Sequence, residues 1–180
     1  QPVTLTVTVT AADWAPFDTL EVFANTTPDP VAKDDNTVLV PLKCWTSRTL
    51  AALDPKDPCK QAALAPEAMT VQLATVPGSG QFKRYQATVQ VTLDPSDIAT
   101  RAGATGTDAW LVFRARGDRG IFPILIKGDT VTPDTLPTLV GGDTASITTA
   151  LQGHGVPAEA ITAPVFVDFD GNGYRAPFAP

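Results

Sequence analysis

The most constraining feature of this sequence is a strict two-residue alternation of apolar and polar side chains near its start. Between Val3 and Thr10, every odd position is Val or Leu and every even position is Thr. Successive side chains of a β-strand point to opposite faces, so this pattern predicts a strand with one buried face. A longer alternating run over 84–93 predicts a second such strand, with these residues on one face: Tyr85, Ala87, Val89, Val91 and Leu93.

Shorter apolar runs between turn residues predict further strands at 20–23, 38–42, 69–76, 109–115, 121–126 and 165–167. The sequence Pro77-Gly78-Ser79-Gly80 predicts a hairpin turn, and 117–120 predicts another turn. Asp94 followed by Pro95 predicts the start of one brief helix. Residues 128–163 show little periodicity. We therefore expect an all-β fold, an antiparallel β-sandwich that is immunoglobulin-like in the broad sense, with a closed barrel as the alternative.

Length and charge limit the classes of function. A chain of 180 residues suits a single domain over 1–180 with a sizeable core. The net charge is −6 and no basic cluster occurs, which argues against nucleic acid as a partner. No apolar run approaches the roughly 20 residues of a membrane span. Gln1 is not a translation start, so we expect a processed chain or a cut fragment.

Two cysteines flank a segment rich in proline. Cys44 and Cys59 could close a loop of about 15 residues, with a stabilisation of roughly 3 kcal/mol. We predict that this disulfide pins an irregular insertion at about 44–66, with a short helix around 61–64. The alternative is a pair of buried free thiols. A disulfide favours a secreted, periplasmic or cell-surface location.

Oxygen-bearing side chains alternate after the last apolar run, at Asp168, Asp170 and Asn172, and Gly173 follows. This is the spacing of the first half of a calcium loop, in which the next ligand is a backbone carbonyl, here that of Tyr174. Calcium binds several oxygens at about 2.3–2.6 Å. The sequence therefore predicts a Ca²⁺ site in the loop 168–174.

The second half of an EF-hand loop does not follow. Its two remaining ligand positions would be Ala176 and Ala179, which carry no side-chain oxygen. The loop is therefore not an EF-hand, and further ligands must come from elsewhere in the fold or from water. The alternative is a solvated Asp/Asn/Gly turn after the last strand.

The sequence does not predict a catalytic site. His154 is its only histidine, whereas a hydrolytic zinc site usually needs two or three. No serine lies in a Gly-x-Ser-x-Gly context. Three tryptophans, Trp14, Trp45 and Trp110, could form a platform for a sugar ring, although we expect Trp110 in the core and Trp45 against the disulfide.

Three segments resemble a known family. They are 13–25, which starts Asp-Trp-Ala-Pro-Phe-Asp, 108–117, which reads Asp-Ala-Trp-Leu-Val-Phe-Arg-Ala-Arg-Gly, and 163–173, which ends Val-Asp-Phe-Asp-Gly-Asn-Gly. In this order they resemble the C-terminal β-domain of secreted bacterial metal-dependent hydrolases of the CehA/McbA type. The catalytic histidines of that family lie in a polymerase-and-histidinol-phosphatase-like barrel, which this chain lacks. The resemblance therefore implies an accessory domain and supplies no active-site residue.

These observations together predict a non-catalytic, extracytoplasmic, calcium-binding β-sandwich. We expect it to act as a structural or interaction module beside a catalytic hydrolase chain or another extracellular protein. Two other functions stay open at this point. One is a carbohydrate-binding module that uses exposed aromatic side chains, and the other is a hydrolase that uses a metal at Asp168 and Asp170.

Overall fold

The computed structural model describes residues 1–25, 40–79, 81–99, 108–120 and 157–176, and it has an all-β, sandwich-like fold. Over these ranges the chain forms nine strands and one α-helix. The strands are β1 (Val3–Ala12), β2 (Thr19–Ala24), β3 (Lys43–Thr46), β4 (Glu67–Ala68), β5 (Gln72–Thr75), β6 (Lys83–Leu93), β7 (Ala109–Gly120), β8 (Pro157–Ile161) and β9 (Val165–Val167). The helix α1 (Pro95–Ala99) follows β6, as predicted. No helix within these ranges is long and apolar enough to cross a membrane.

The first sheet has the strand order β1-β6-β5. The two alternating strands pair antiparallel without a register shift, from Val3 opposite Leu93 to Ala12 opposite Arg84. Their threonines lie on the solvent face, where Thr4 and Thr8 make hydroxyl contacts across the pair. The predicted hairpin is also present, because β5 pairs antiparallel with β6. Alternation therefore predicted strands β1 and β6 with their buried faces, whereas the pairing of β1 with β6 is seen only in the structure.

The second sheet has the order β4-β3-β2-β7-β8, and β9 also pairs with β7. Every residue of β2 is buried, so this central strand is covered on both faces. One face meets the first sheet through Leu20, Val22 and Ala24, which join the main core. The other face, which we call the outer face, carries Glu21 and lies under the insertion between β3 and β4, residues 47–66.

The main core lies between the two sheets. Its buried side chains come from β2 and β7 on one side and from β6 on the other, including Leu20, Val22, Leu111, Val91 and Leu93, all of which are at most 1% exposed. Burial of such side chains contributes about 1.5–3 kcal/mol each relative to exposure. Val167 and Phe169 close the same core at the end of β9.

The insertion is held to the outer face by the predicted disulfide. Cys44 on β3 is joined to Cys59, with a Cα–Cα distance of 5.4 Å. The predicted helix at 61–64 is wrong, since a short 3₁₀ helix occupies Pro58–Gln61 instead. Asp57 starts this helix because its carboxylate accepts a hydrogen bond from the Cys59 N–H at 2.8 Å.

Three other predictions of secondary structure need correction. Strand 38–42 is wrong over its described part, because pairing with β2 starts where Leu42 donates to the Val22 carbonyl and the strand itself begins at Lys43. The preceding Pro41 has no N–H for the ladder. Strand β3 itself is the second correction, because most of it lies within the segment 44–66 that the sequence predicts to be irregular. The strand predicted at 121–126 lies outside the described residues.

The turn predicted at 117–120 is also wrong, because β7 continues to Gly120. Gly117 is needed for a close approach instead, since a Cβ atom there would collide with the carbonyl oxygen of Pro16. Strand β8 pairs with β7 between Arg114 and Gly120, with a register shift between Arg116 and Gly120, and it falls in a segment without predicted periodicity. The expectation of a single domain over 1–180 extends past the described residues and stays a prediction.

Candidate metal centre

Strand pairing brings together acids that are far apart in the sequence. Strands β7 and β9 are antiparallel, with Ala109 opposite Val167. The residue before β7 and the residue after β9 are therefore neighbours, and these are Asp108 and Asp168. Together with Asp170 they form an acidic cluster in which one carboxylate oxygen of each lies within 4.8 Å of the others.

Asp108 is the most informative member of the acidic cluster. It is only 3% exposed, and its Oδ2 accepts a hydrogen bond from the backbone N–H of Arg175 at 2.5 Å. Its Oδ1 is buried without a hydrogen-bond partner among the described residues. A buried acceptor without a partner costs about 1–3 kcal/mol, and more when it is charged. A bound cation would remove that cost.

Sequence reasoning missed Asp108 as a ligand. The residue lies 60 positions before Asp168 and belongs to no spacing motif. The available signal was its place immediately before a predicted strand. That signal becomes useful only once this strand is known to pair antiparallel with the strand before the calcium-type loop.

Asp168 organises the predicted loop from within. Its Oδ1 accepts hydrogen bonds from the N–H groups of Asp170 and Gly171 at 3.1 and 2.7 Å, and its Oδ2 accepts from Gly173 at 2.8 Å. The φ angles of Gly171 and Gly173 are +76° and +98°, which L side chains rarely adopt. The N–H of Gly173, then that of Gly171, lower the pKa of Asp168, so its charged form is favoured.

The other two predicted ligands have different roles in the structure. Asn172 donates its backbone N–H to Asp170 Oδ1 at 3.1 Å and its side-chain amide to Asp170 Oδ2 at 2.7 Å. Its side chain thus orients Asp170. The ring of Tyr174 packs on Phe166 with centroids 4.7 Å apart. Burial, and then the charge of Asp108, raise the pKa of Tyr174. Coordination by Asn172 Oδ1 and by the Tyr174 carbonyl stays a prediction.

The donor set of the acidic cluster limits which ion fits. All its side-chain donors are carboxylates, and hard cations such as calcium and magnesium bind oxygen, whereas zinc favours nitrogen and sulfur. Calcium accepts six to eight oxygens in irregular geometry, whereas magnesium requires a near-ideal octahedron. Asp168 is half-buried and Asp170 is exposed, which leaves room for water to complete the coordination. The residues therefore fit calcium.

Searches of known proteins add no relative. No family model, curated protein or solved structure matches this chain. Conclusions about its chemistry therefore rest on its own residues.

A second charged group lies on the same outer face, further along β7. Glu21 is fully buried and accepts hydrogen bonds from Arg114 Nε at 2.6 Å and Arg116 Nε at 3.0 Å. Arg116 also reaches Asp57 of the insertion at 2.5 Å. We call these four residues the ion-pair network. Burial alone would raise the pKa of Asp57, but hydrogen bonds from Arg116 and the Cys59 N–H lower it overall. The network holds the insertion against the sheet.

The tryptophans are placed differently from expectation. Trp45 does not pack on the disulfide, because neighbouring strand residues point to opposite faces. It lies in the main core at 1% exposure, whereas Cys44 and Cys59 form a separate cluster with Leu53. Trp110 is half-buried on the outer face, since Ala109 and Leu111 take the core positions beside it. Trp14 is 50% exposed in the turn after β1.

His154 lies outside the described residues, so nothing in the structure relates it to the acidic cluster. The predicted absence of a catalytic site stays a prediction.

Proposed function

We propose that this protein is a non-catalytic, extracytoplasmic β-sandwich module that binds calcium at the acidic cluster. The observation that carries the proposal is the carboxylate of Asp108, which is buried, lacks a partner on Oδ1 among the described residues, and lies beside Asp168 and Asp170. Calcium at this place would offset most of the negative charge of three converging acids. It would also link the start of β7 to the loop after β9.

The wider role rests on supporting features. The Cys44–Cys59 disulfide is compatible with an oxidising compartment and hence with a secreted, periplasmic or cell-surface protein. The resemblance to the C-terminal domain of CehA/McbA-type hydrolases supports an accessory role beside a catalytic hydrolase chain. In that role calcium fixes the shape of the module, and chemistry takes place elsewhere. Turnover of phosphodiester, ester or glycoside substrates by the pure chain would contradict the non-catalytic part.

Calcium binding is tested by thermal melting in chelator, in millimolar calcium and in millimolar magnesium. At 100 times the dissociation constant, calcium stabilises the fold by about 2.7 kcal/mol. For a chain of this size that corresponds to a rise in melting temperature of roughly 5–10 °C. We expect calcium to give this rise and magnesium to give less.

Two alanine variants make the test specific. Asp170→Ala removes a member of the acidic cluster and should abolish the calcium-dependent rise. Asp54→Ala is the matched control, because Asp54 is also exposed and also accepts the N–H two residues later, that of Lys56, but belongs to the insertion. It should keep the full rise. An equal response of both variants, or no rise in the wild type, would refute calcium binding at this cluster.

A further inference from the structure

Three aromatic side chains lie beside the acidic cluster, and we call them the aromatic ledge: Trp110, Phe166 and Tyr174. Trp110 on β7 is directly opposite Phe166 on β9. Directly paired residues of antiparallel strands have their side chains on one face, about 4.5–5.5 Å apart at Cβ. Tyr174 extends the ledge, since its ring packs on Phe166 at a tilt of 52°.

Two of the three side chains of the ledge are exposed to solvent. Phe166 is 61% exposed and Tyr174 is 36% exposed, while Trp110 is half-buried. Packing in the main core does not need Phe166, because Val167 and Phe169 fill it from the same segment. Exposed apolar surface of this kind often marks a binding site.

The strand register puts the ledge and the acids side by side on one face. Asp108 and Trp110 are alternate residues at the start of β7, and Phe166 and Asp168 are alternate residues at the end of β9. Because Ala109 is opposite Val167, the two acids are neighbours and the two aromatics are neighbours one step further along the strands. An oxygen-rich ion site thus adjoins a flat apolar surface.

We propose that calcium at the acidic cluster and the aromatic ledge together bind a neutral saccharide with adjacent hydroxyl groups. This rests on the calcium site of the proposed function. A sugar ring has an apolar face of C–H groups, which packs on aromatic rings, and hydroxyl oxygens at its rim. Two adjacent hydroxyls replace water on calcium, whose ligands are neutral or anionic oxygens. Tyrosine and tryptophan suit such mixed surfaces because each combines an apolar ring with a polar group.

Charge favours a neutral sugar over an acidic one. The three carboxylates of the cluster outnumber the two positive charges of calcium, so the loaded site stays negative. The whole chain also carries a net charge of −6. An anionic sugar would be repelled, whereas hydroxyl groups carry no such cost.

Affinity electrophoresis in native gels tests the proposal, with galactomannan, xylan and mixed-linkage β-glucan as the probes. We expect at least one polysaccharide to retard the wild-type protein in calcium and not in chelator. Phe166→Ala should weaken the retardation about tenfold in apparent affinity while it keeps the calcium-dependent rise in melting temperature. Phe82→Ala is the matched control, because Phe82 is 73% exposed next to β6 in the other sheet. It should bind as the wild type does.

The possible outcomes separate this inference from the calcium site. Calcium-dependent melting without retardation by any probe would refute the saccharide and leave calcium binding intact. Retardation that survives chelator, or that is equal in Phe166→Ala and wild type, would also overturn the proposal. Concentration-dependent dimerisation that Phe166→Ala abolishes would assign the ledge to a second copy of the chain. A wild type without a calcium-dependent rise would refute the proposed function and this inference together.

Discussion

Two buried carboxylates lie on the outer face of the second sheet, and they differ in the charge of the side chains around them. Glu21 is fully buried, and both of its oxygens accept hydrogen bonds from arginines on the neighbouring strand. Asp108 is 3% exposed, and its neighbours in space are two more carboxylates. One of its oxygens has no hydrogen-bond partner among the described residues.

The difference separates a charge that is paired within the fold from a charge whose proposed partner is a cation. A buried charge is costly unless it is paired and hydrogen-bonded. Arg114 and Arg116 are partners of Glu21 within the fold, so both oxygens of this carboxylate accept a hydrogen bond from an opposite charge. Around Asp108 the side chains increase the negative charge instead. A cation from solution is the partner that would complete it.

The largest expected effect on the free energy of unfolding comes from replacing Glu21, the carboxylate that is paired within the fold. Glu21→Gln should destabilise the fold by about 3–4 kcal/mol, because it removes the buried charge that two arginines share and leaves Arg114 with only the exposed Glu159 at 3.7 Å. The lower part of the usual range applies, since the side chains of Arg114 and Arg116 are 21% and 22% exposed. Urea unfolding measures the loss, which should be the same in calcium and in chelator. A loss that calcium restores would erase the distinction between the two sites.

The disulfide gives the next largest effect. Replacing both cysteines, Cys44→Ala with Cys59→Ala, should cost about 3 kcal/mol, as expected for a closed loop with a sequence separation of 15. The insertion would then be held by the Asp57–Arg116 ion pair and by the backbone hydrogen bonds from Ala63 to Pro41 and from Leu64 to Leu42. Urea unfolding is again the measurement. The calcium-dependent rise in melting temperature should survive this change, because the acidic cluster contains no residue of the insertion; its disappearance would show that the two regions are coupled.

The smallest expected effect is a pH dependence within the ion-pair network. Arg116 and the Cys59 N–H lower the folded-state pKa of Asp57 below its ordinary value of 3.8 despite burial. A carboxyl group with a lowered pKa contributes stability above its unfolded-state pKa and loses that contribution as the pH falls through its folded-state value. Asp57→Asn should therefore cost about 1.5 kcal/mol near neutral pH and progressively less below 3.8.

Urea unfolding of both proteins at about pH 6 and about pH 3 measures this difference. A gap between wild type and Asp57→Asn that widens in acid would mean that the carboxylate is not stabilised by Arg116. That result would leave Glu21 as the acid that Arg116 neutralises in the network.

The sequence predicted the parts of this fold that follow from local periodicity. Alternation identified β1 and β6, because the side-chain period of a strand is two residues. The Asp94–Pro95 pair identified the start of α1, and the cysteine spacing identified the disulfide. In the same way, the alternate oxygens of Asp168 and Asp170 identified two of the three members of the acidic cluster.

The parts that were missed depend on tertiary pairing. Asp108 reaches the cluster only through the register of β7 against β9. Gly117 resembles a turn residue in sequence, yet it lies within β7, and the close approach of Pro16 is the reason that this position has no side chain. Trp45 belongs to the main core because its neighbour Cys44 occupies the other face of β3. None of these contacts leaves a signal within a short window of sequence.

The most direct test of the central claim compares wild type with Asp108→Asn by thermal melting, in chelator and in saturating calcium. Asparagine keeps the shape of the side chain and removes a buried charge that lacks a full set of partners. In chelator we expect Asp108→Asn to melt at or above the wild-type temperature, because repulsion within the acidic cluster falls. In calcium the wild type should rise by roughly 5–10 °C and the variant should not. A variant that melts lower than wild type in chelator and shows the same rise in calcium would contradict the claim that Asp108 completes a cation site.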